Sequence, residues 1–154
     1  MQYYFKETKR QEKLEKELLS WLKTPFKHRT CVKQKGADCV NFVAGVLSEL
    51  GICKMPKIPE YPPDWNLHIT RDLLIDGIKT LPLATGLYFD EIDFKNPMIG
   101  DLMVFFYGKS ASHAAIYFNG YIYQAVTGVG VVKSRYKDPK WFNKKITNFR
   151  LMEV

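Results

Sequence analysis

Apolar residues recur at spacings of three and four in the first half of the chain. Residues 7–22 and 39–50 each place them on one face, which is typical of helices that pack against a core. Residues 67–80 show the same pattern more weakly, with Gly77 inside it. Prolines crowd residues 54–65 and exclude regular structure there. The first half is therefore predicted to hold helices joined by an extended surface loop.

The pattern changes to short apolar runs after residue 86. Turn residues separate these runs, and apolar runs of this length are typical of strands. Helices followed by an antiparallel meander predict an α+β fold, in which N-terminal helices pack on a central antiparallel β-sheet. At 154 residues the chain is predicted to be a single domain, residues 1–154. The predicted strands span residues 87–94, 102–107, 112–118, 121–126, 131–136 and 146–154.

The charge balance narrows the classes of partner. Lys and Arg outnumber Asp and Glu by 23 to 16, and the net charge of +7 favours an anionic partner. Nucleic acid, anionic lipid and anionic cell-wall polymer all match this balance, but no nucleic-acid motif of aromatic and basic residues is present. No apolar run is long enough for a membrane span, and the N-terminus has no secretory signal. We therefore expect synthesis in the cytoplasm and no nucleic-acid partner.

Cys39 stands at the start of the second predicted helix. Asp38 is its natural N-cap and Gly51 its natural stop. In the first turn, unpaired backbone N–H groups and the positive end of the helix dipole stabilise a thiolate. Cys39 is therefore a candidate nucleophile, and a small apolar residue packed at a helix start is the alternative. Cys31 lies in a basic loop without a cap or an apolar helix behind it, which makes it the weaker candidate.

An Asn119-Gly120 turn predicts the register of a hairpin in the second half. Both turn positions favour positive φ, which is the strongest short hairpin signal. Pairing outward from this turn puts His113 and Gln124 on one face as diagonal neighbours, within side-chain reach. If the Cys39 helix packs on that face, thiol, imidazole and amide lie in a row. Cys39 would then attack a carbonyl, His113 would take and return the proton, and Gln124 would fix the imidazole tautomer.

These motifs resemble a known family, the NlpC-type cell-wall cysteine peptidases. The order of cysteine before histidine matches its papain-like members and not its permuted acyltransferase relatives. The resemblance is closer still to a subgroup from phage tails and gene-transfer agents, through residues 24–28, 61–65 and 140–151. The segments that carry the core resemblance are Asp38-Cys39-Val40-Asn41-Phe42, Gly100-Asp101-Leu102, Ser112-His113-Ala114-Ala115-Ile116-Tyr117 and Gln124.

The resemblance implies a papain-like fold and hydrolysis of peptide-stem amides in peptidoglycan, commonly the bond from D-glutamate to a diamino acid. It implies no metal and no organic cofactor, and the cysteines lack the paired short spacings of a zinc site. Phage-tail proteins are expected partners, with delivery to the wall by the particle. Phe26 stands where many members have a tyrosine, and Gln124 replaces a more frequent histidine. The substrate-binding residues are expected to be Phe26, His28, Asp38 and Ser112.

Two other functions fit the same residues. A non-catalytic tail or wall-binding module would keep the fold with an inaccessible or unreactive Cys39. A cysteine acyltransferase or amidase acting on lipid or small-molecule amides would share the fold class but release different products.

Overall fold

The computed structural model describes residues 1–55, 71–93, 95–107 and 110–154. Within these residues the helices are α1 (Thr8–Trp21), α2 (Cys39–Glu49), α3 (Arg71–Lys79) and α4 (Pro139–Phe142). The strands are β1 (Gln2–Tyr3), β2 (Cys31–Val32), β3 (Gly36–Ala37), β4 (Leu87–Ile92), β5 (Leu102–Tyr107), β6 (Ser110–Phe118), β7 (Tyr121–Val126), β8 (Gly130–Arg135) and β9 (Lys145–Glu153).

Most of the predicted elements are confirmed. Helices α1 and α2 match the predicted residues 7–22 and 39–50 to within one residue at each end. Helix α3 confirms the C-terminal part of the helix predicted at 67–80. The first part of that helix and the proline-rich segment 56–65 lie outside the described residues. In the described part of the chain, no helix has the length and apolar character needed to cross a bilayer.

A large antiparallel sheet forms the second layer, as the α+β prediction requires. Its strands follow the order β1-β9-β5-β6-β7-β8, and β4 pairs with the other edge of β9. The last strand of the chain therefore lies inside the sheet, between β4 and β5. The N-terminal arm is held here too, because β1 pairs with Met152 and Glu153 of β9.

The predicted hairpin turn is confirmed. Asn119 and Gly120 have φ angles of 48° and 89°, as a two-residue turn between twisted strands needs. The pairs next to the turn are Phe118–Tyr121, Tyr117–Ile122 and Ile116–Tyr123, the predicted register. Among the described residues the β6–β7 ladder ends there, so the strands separate before they reach His113 and Gln124.

Two apolar clusters cover opposite faces of the sheet. Helices α1 and α2 pack on one face through side chains such as Leu18, Phe42 and Val46. The other face carries Trp141 of α4 and Tyr136. The strand residues on the α2 face are Leu102, Val104, Ala114, Ile116, Tyr123, Ala125, Val131, Phe149 and Leu151, and those on the α4 face are Met103, Phe105, Ala115 and Ile122.

The distribution of the two clusters over the two faces shows that one expectation, the face of the sheet that α2 covers, was wrong. His113 pairs with Phe105 and Gln124 precedes Ala125, so strand alternation places both side chains on the α4 face. Helix α2 was expected on that same face, but it covers the opposite one. Both faces of these strands are apolar, so the alternation along β6 and β7 does not by itself say which face a helix covers.

Candidate active site

A buried carboxylate holds the start of helix α2. Asp38 is 2% exposed, and its Oδ1 accepts hydrogen bonds from the backbone N–H of Asn41 at 2.9 Å and from its side-chain amide at 3.0 Å. Its Oδ2 accepts from the backbone N–H of Arg29 at 2.8 Å. The predicted N-cap is therefore confirmed, and the same side chain ties the basic loop to the helix. This arrangement places Cys39 in the first turn.

Cys39 is buried, with 6% of its surface exposed. Burial and, to a smaller extent, the nearby Asp38 carboxylate raise the pKa of its thiol to about 12. Hydrogen bonds from the backbone N–H groups of Ala114, Val40 and Cys39 itself act in the opposite direction. The expectation of a thiol pKa lowered by the helix terminus is wrong, because desolvation of the thiolate outweighs the nearby N–H groups.

Cys39 contacts the sheet at β6, beyond the point where the described β6–β7 pairing ends. Beyond Ile116 and Tyr123 the described residues of β6 and β7 no longer pair. There the backbone N–H of Ala114 donates to the Cys39 sulfur. The thiol therefore contacts β6 at Ala114, one residue along the strand from His113.

His113 is enclosed by aromatic rings on the α4 face. It is 6% exposed, and it stacks on Trp141 with ring centroids 5.6 Å apart and an interplanar angle of 25°. Phe105 lies at 5.9 Å with a tilt of 48°. Burial lowers the pKa of His113, while the hydrogen bond to Gln124 raises it. The net shift favours the neutral imidazole, which is the form that can accept a proton.

Gln124 joins His113 to a third polar group. Its Oε1 lies 2.8 Å from His113 Nε2, and its Nε2 donates to Ser134 Oγ at 3.1 Å. An amide oxygen only accepts, so the imidazole carries its hydrogen on Nε2. In the neutral ring, Nδ1 then has the lone pair. The predicted proximity of His113 and Gln124 is confirmed, and Gln124 is fully buried at 0% exposure.

The chemistry that this arrangement supports follows from these protonation states. The raised pKa of Cys39 and the lowered pKa of His113 both favour a neutral pair at rest. A thiol whose proton passes to a neighbouring imidazole during attack does not need a thiolate beforehand. Neutral protonation states of Cys39 and His113 are thus compatible with general-base activation of a thiol.

The expected substrate-binding residues lie in different surroundings. Phe26 is half-buried against the core and forms a parallel bridge with Ala37. His28 is half-buried in the loop before α2, where its carbonyl accepts from Thr30 Oγ1 at 3.2 Å. Ser112 lies in β6 next to His113, and its side chain is outside the described residues. Phe26 is thus held next to the residue that precedes Asp38, and His28 lies in the loop before α2.

Cys31 has a packing position. Its thiol donates to the carbonyl of Asn41 at 3.2 Å, and burial raises its pKa. A Cβ added to Gly45 would lie 2.8 Å from its sulfur, so Cys31 fills the space above the middle of α2. In the described part of the chain, no three His, Cys, Asp or Glu side chains gather in a metal-binding cluster.

Sequence reasoning missed two side chains of the site. Trp141 comes from α4, far along the chain from His113, and no pattern connects the two residues. Ser134 lies on β8 two residues beyond Val132, the ladder partner of Gln124, so alternation along a second hairpin is the one signal that could have found it.

Comparison with known proteins gives likenesses in structure. No family model and no curated protein matches the sequence. The crystal structure of a lipoprotein-like protein of the NLP/P60 family from Staphylococcus aureus matches with a TM-score of 0.66 and 16% identity, over 100% of this chain. This chain spans 45% of the length of that protein.

A second solved structure covers nearly the whole of both chains. The NlpC/p60 domain of the peptidoglycan hydrolase SagA matches with a TM-score of 0.55 and 15% identity, over 90% of this chain and 96% of that one. At identities of 15% and 16%, the two matches show a shared fold and no more. The chain has the fold of NlpC/P60 proteins, a mixed α and β arrangement built on a large antiparallel sheet.

Proposed function

We propose that this chain is a cysteine peptidase that hydrolyses amide bonds in the stem peptides of bacterial peptidoglycan. The observation that carries the proposal is the hydrogen bond between His113 and Gln124. His113 lies on β6, and the backbone N–H of the next residue on that strand, Ala114, donates to the Cys39 sulfur. The NlpC/P60 fold supports it, since SagA, with that fold, is a peptidoglycan hydrolase.

The first half of the proposed reaction forms an acyl-enzyme. The Cys39 sulfur attacks the carbonyl carbon of the scissile amide while its proton passes to His113 Nδ1. The backbone N–H of Cys39 serves as one donor to the developing oxyanion. When the carbon–nitrogen bond breaks, His113 returns the proton to the leaving amine, and the acyl group remains on Cys39 as a thioester.

The second half regenerates the thiol. His113 takes a proton from water, the hydroxide attacks the thioester carbonyl, and the carbon–sulfur bond breaks. The proton then returns from His113 to the Cys39 sulfur. Gln124 holds the ring in the tautomer that both halves need.

Three finer features of the proposal come from the sequence resemblance. The bond cut is that from D-glutamate to the diamino acid. Residues Phe26, His28, Asp38 and Ser112 line or support the substrate site. The protein acts from a phage or phage-like tail that carries it to the wall. The net charge of +7 suits the anionic wall.

One observation favours a second candidate function, a wall-binding or tail module without catalysis. Cys39 is 6% exposed and burial raises its pKa to about 12, so the thiol is neither open nor ionised at rest. Such a module would bind wall fragments through the same face without cutting them.

The experiment that separates the two functions measures amine release from purified peptidoglycan. We expect new amines with the wild type and the Cys31→Ala variant and none with Cys39→Ala. The Cys31 variant is a matched control, because it removes a second thiol that packs on the same helix. Mass spectrometry of the products identifies the bond. Wall binding without amine release from any wall type would favour the non-catalytic module, and release of acyl groups from lipid or small-molecule amides would favour an acyltransferase or amidase.

A further inference from the structure

The segment that leads to helix α2 is strongly basic. Residues 23–37 contain five lysine and arginine residues and no aspartate or glutamate. One of these cations, Lys33, forms a salt bridge of 2.8 Å with Glu17 of α1. The next acidic residue along the chain, Asp38, is buried, and its carboxylate caps the helix. The segment therefore brings positive charge to the start of α2, where Cys39 lies.

Arg29 is a cation of this segment whose backbone is tied to the start of α2. Its backbone N–H donates to Asp38 Oδ2 at 2.8 Å, and Asp38 directly precedes Cys39. Arg29 is exposed, whereas Cys39 is buried. Consecutive Cα atoms are ~3.8 Å apart. An arginine side chain that starts beside Asp38 is therefore long enough to reach a group bound next to the Cys39 sulfur.

The backbone of Arg29 is in the left-handed region, with a φ of 57°. This conformation costs energy for a residue that has a Cβ, and glycine or asparagine adopts it at lower cost. The hydrogen bond to Asp38 comes from the backbone, so any residue except proline could donate it. The tie to Asp38 therefore does not explain why an arginine stands here, and strained residues of this kind cluster at functional sites.

We propose that Arg29 is a specificity residue that binds a free carboxylate of the stem peptide beside the scissile amide. The proposal rests on the proposed peptidase function, because it names the form of the substrate that the same site takes. In a bond from D-glutamate to a diamino acid, the α-carboxylate of D-glutamate lies on the acyl side. In a tripeptide, the α-carboxylate of the diamino acid lies on the amine side. A guanidinium group matches either carboxylate with two parallel N–H···O hydrogen bonds.

Calorimetry with the Cys39→Ala protein measures binding without cleavage. The probes are tripeptides of L-alanine, γ-linked D-glutamate and a diamino acid, made with L-lysine and with meso-diaminopimelate. Each is compared with two amidated forms, one with D-isoglutamine in place of D-glutamate and one with an amide at the α-carboxyl of the diamino acid. We expect one amidated form to bind about tenfold more weakly, because it loses a charge-assisted hydrogen bond. The form that loses affinity identifies the carboxylate.

Substitution of Arg29 tests whether this residue causes the preference. In Arg29→Gln, combined with Cys39→Ala, the free and amidated peptides should bind equally. The substitution keeps the backbone N–H that Asp38 accepts, so Tm should not change. Lys35→Gln is the matched control, since it removes the same charge from the same segment. Lys35 lies at the turn between β2 and β3, where its backbone N–H donates to the carbonyl of Val32, and its loss should leave the preference intact.

Three results would overturn the proposal. They are equal binding of the free and amidated peptides by Cys39→Ala, a preference that survives Arg29→Gln, and a preference that Lys35→Gln abolishes as well. Cleavage by the protein with Cys39 intact is measured separately. Cleavage without any preference would overturn the carboxylate site and leave the peptidase function in place. Binding that depends on Arg29 without cleavage would support the carboxylate site and contradict the peptidase function.

Discussion

Trp141→Ala removes the ring that covers His113. Trp141 is 6% exposed, stacks on His113 at 5.6 Å, and contacts the edge of Phe105 at 6.4 Å. The substitution has two separate consequences, since it leaves a cavity in the cluster on the α4 face and admits water to the imidazole. The first changes stability and the second changes the pKa of His113.

The structure gives a magnitude or a direction for each consequence. Replacing a buried tryptophan by alanine costs about 3 to 5 kcal/mol of unfolding free energy. For a chain of this size that lowers Tm by about 6 to 20 °C. Because burial lowers the pKa of His113, hydration should move that pKa upward, toward its ordinary value of about 6.5. His113 must be neutral to accept a proton, so the acid limb of kcat/KM should move to higher pH in the variant.

The assay is the pH dependence of kcat/KM on a synthetic stem peptide, below the melting temperature of every variant. Leu14→Ala is the control, since Leu14 is buried at 1% exposure in α1 and its loss costs a comparable free energy without touching His113. Trp141→Phe keeps an aromatic ring and should shift the limb less. An acid limb that stays in place in Trp141→Ala, with the same destabilisation as Leu14→Ala, would show that Trp141 does not lower the pKa of His113 and is a packing residue only.

Three further outcomes are expected. Iodoacetamide labelling of Cys39 should keep rising above about pH 9, because burial raises its pKa to about 12, and a plateau below about pH 8.5 would contradict this. Asp38→Ala should lose about 1 to 2 kcal/mol in urea unfolding, whereas Asp38→Asn, which keeps the capping oxygen, should lose less. Arg150→Ala should lose about 3 to 5 kcal/mol at neutral pH, because it leaves the fully buried Asp101 carboxylate unpaired. Burial raises the pKa of Asp101, so the stability deficit of Arg150→Ala relative to the wild type should shrink as the pH falls and the carboxylate gains a proton. A deficit that stays the same at all pH values would contradict this prediction.

Local chemistry made much of the fold and part of the site predictable. The Asn119-Gly120 pair favours positive φ at both turn positions, and this sets the register on each side of the turn. Extending that register predicted that His113 and Gln124 share a face, and their side chains do meet, although the described β6–β7 pairing ends at Ile116 and Tyr123. Asp38 and Gly51 marked the ends of α2 in the same way, because caps and stops depend on a few neighbouring residues.

Long-range packing was not predictable from these patterns. Both faces of β5, β6 and β7 are apolar, so the pattern did not say that α2 covers the face opposite His113. The depth at which Cys39 is buried decides its pKa, and burial comes from the whole assembly and not from the first turn of a helix. Trp141 lies in a segment distant from His113 along the chain, and no pattern near it indicated a role.

In the proposed reaction Cys39 attacks the substrate with His113 as its base. The most direct test uses a stem peptide whose scissile amide is replaced by a vinyl sulfone, a group to which a nucleophilic thiol adds, so that the sulfur becomes covalently alkylated and no product is released. Peptide mapping of the labelled protein should place the adduct on Cys39 in the wild type and in Cys31→Ala, with much slower labelling in His113→Ala. An adduct on Cys31, or amine release from peptidoglycan by a protein whose Cys39 stays unlabelled, would contradict the account.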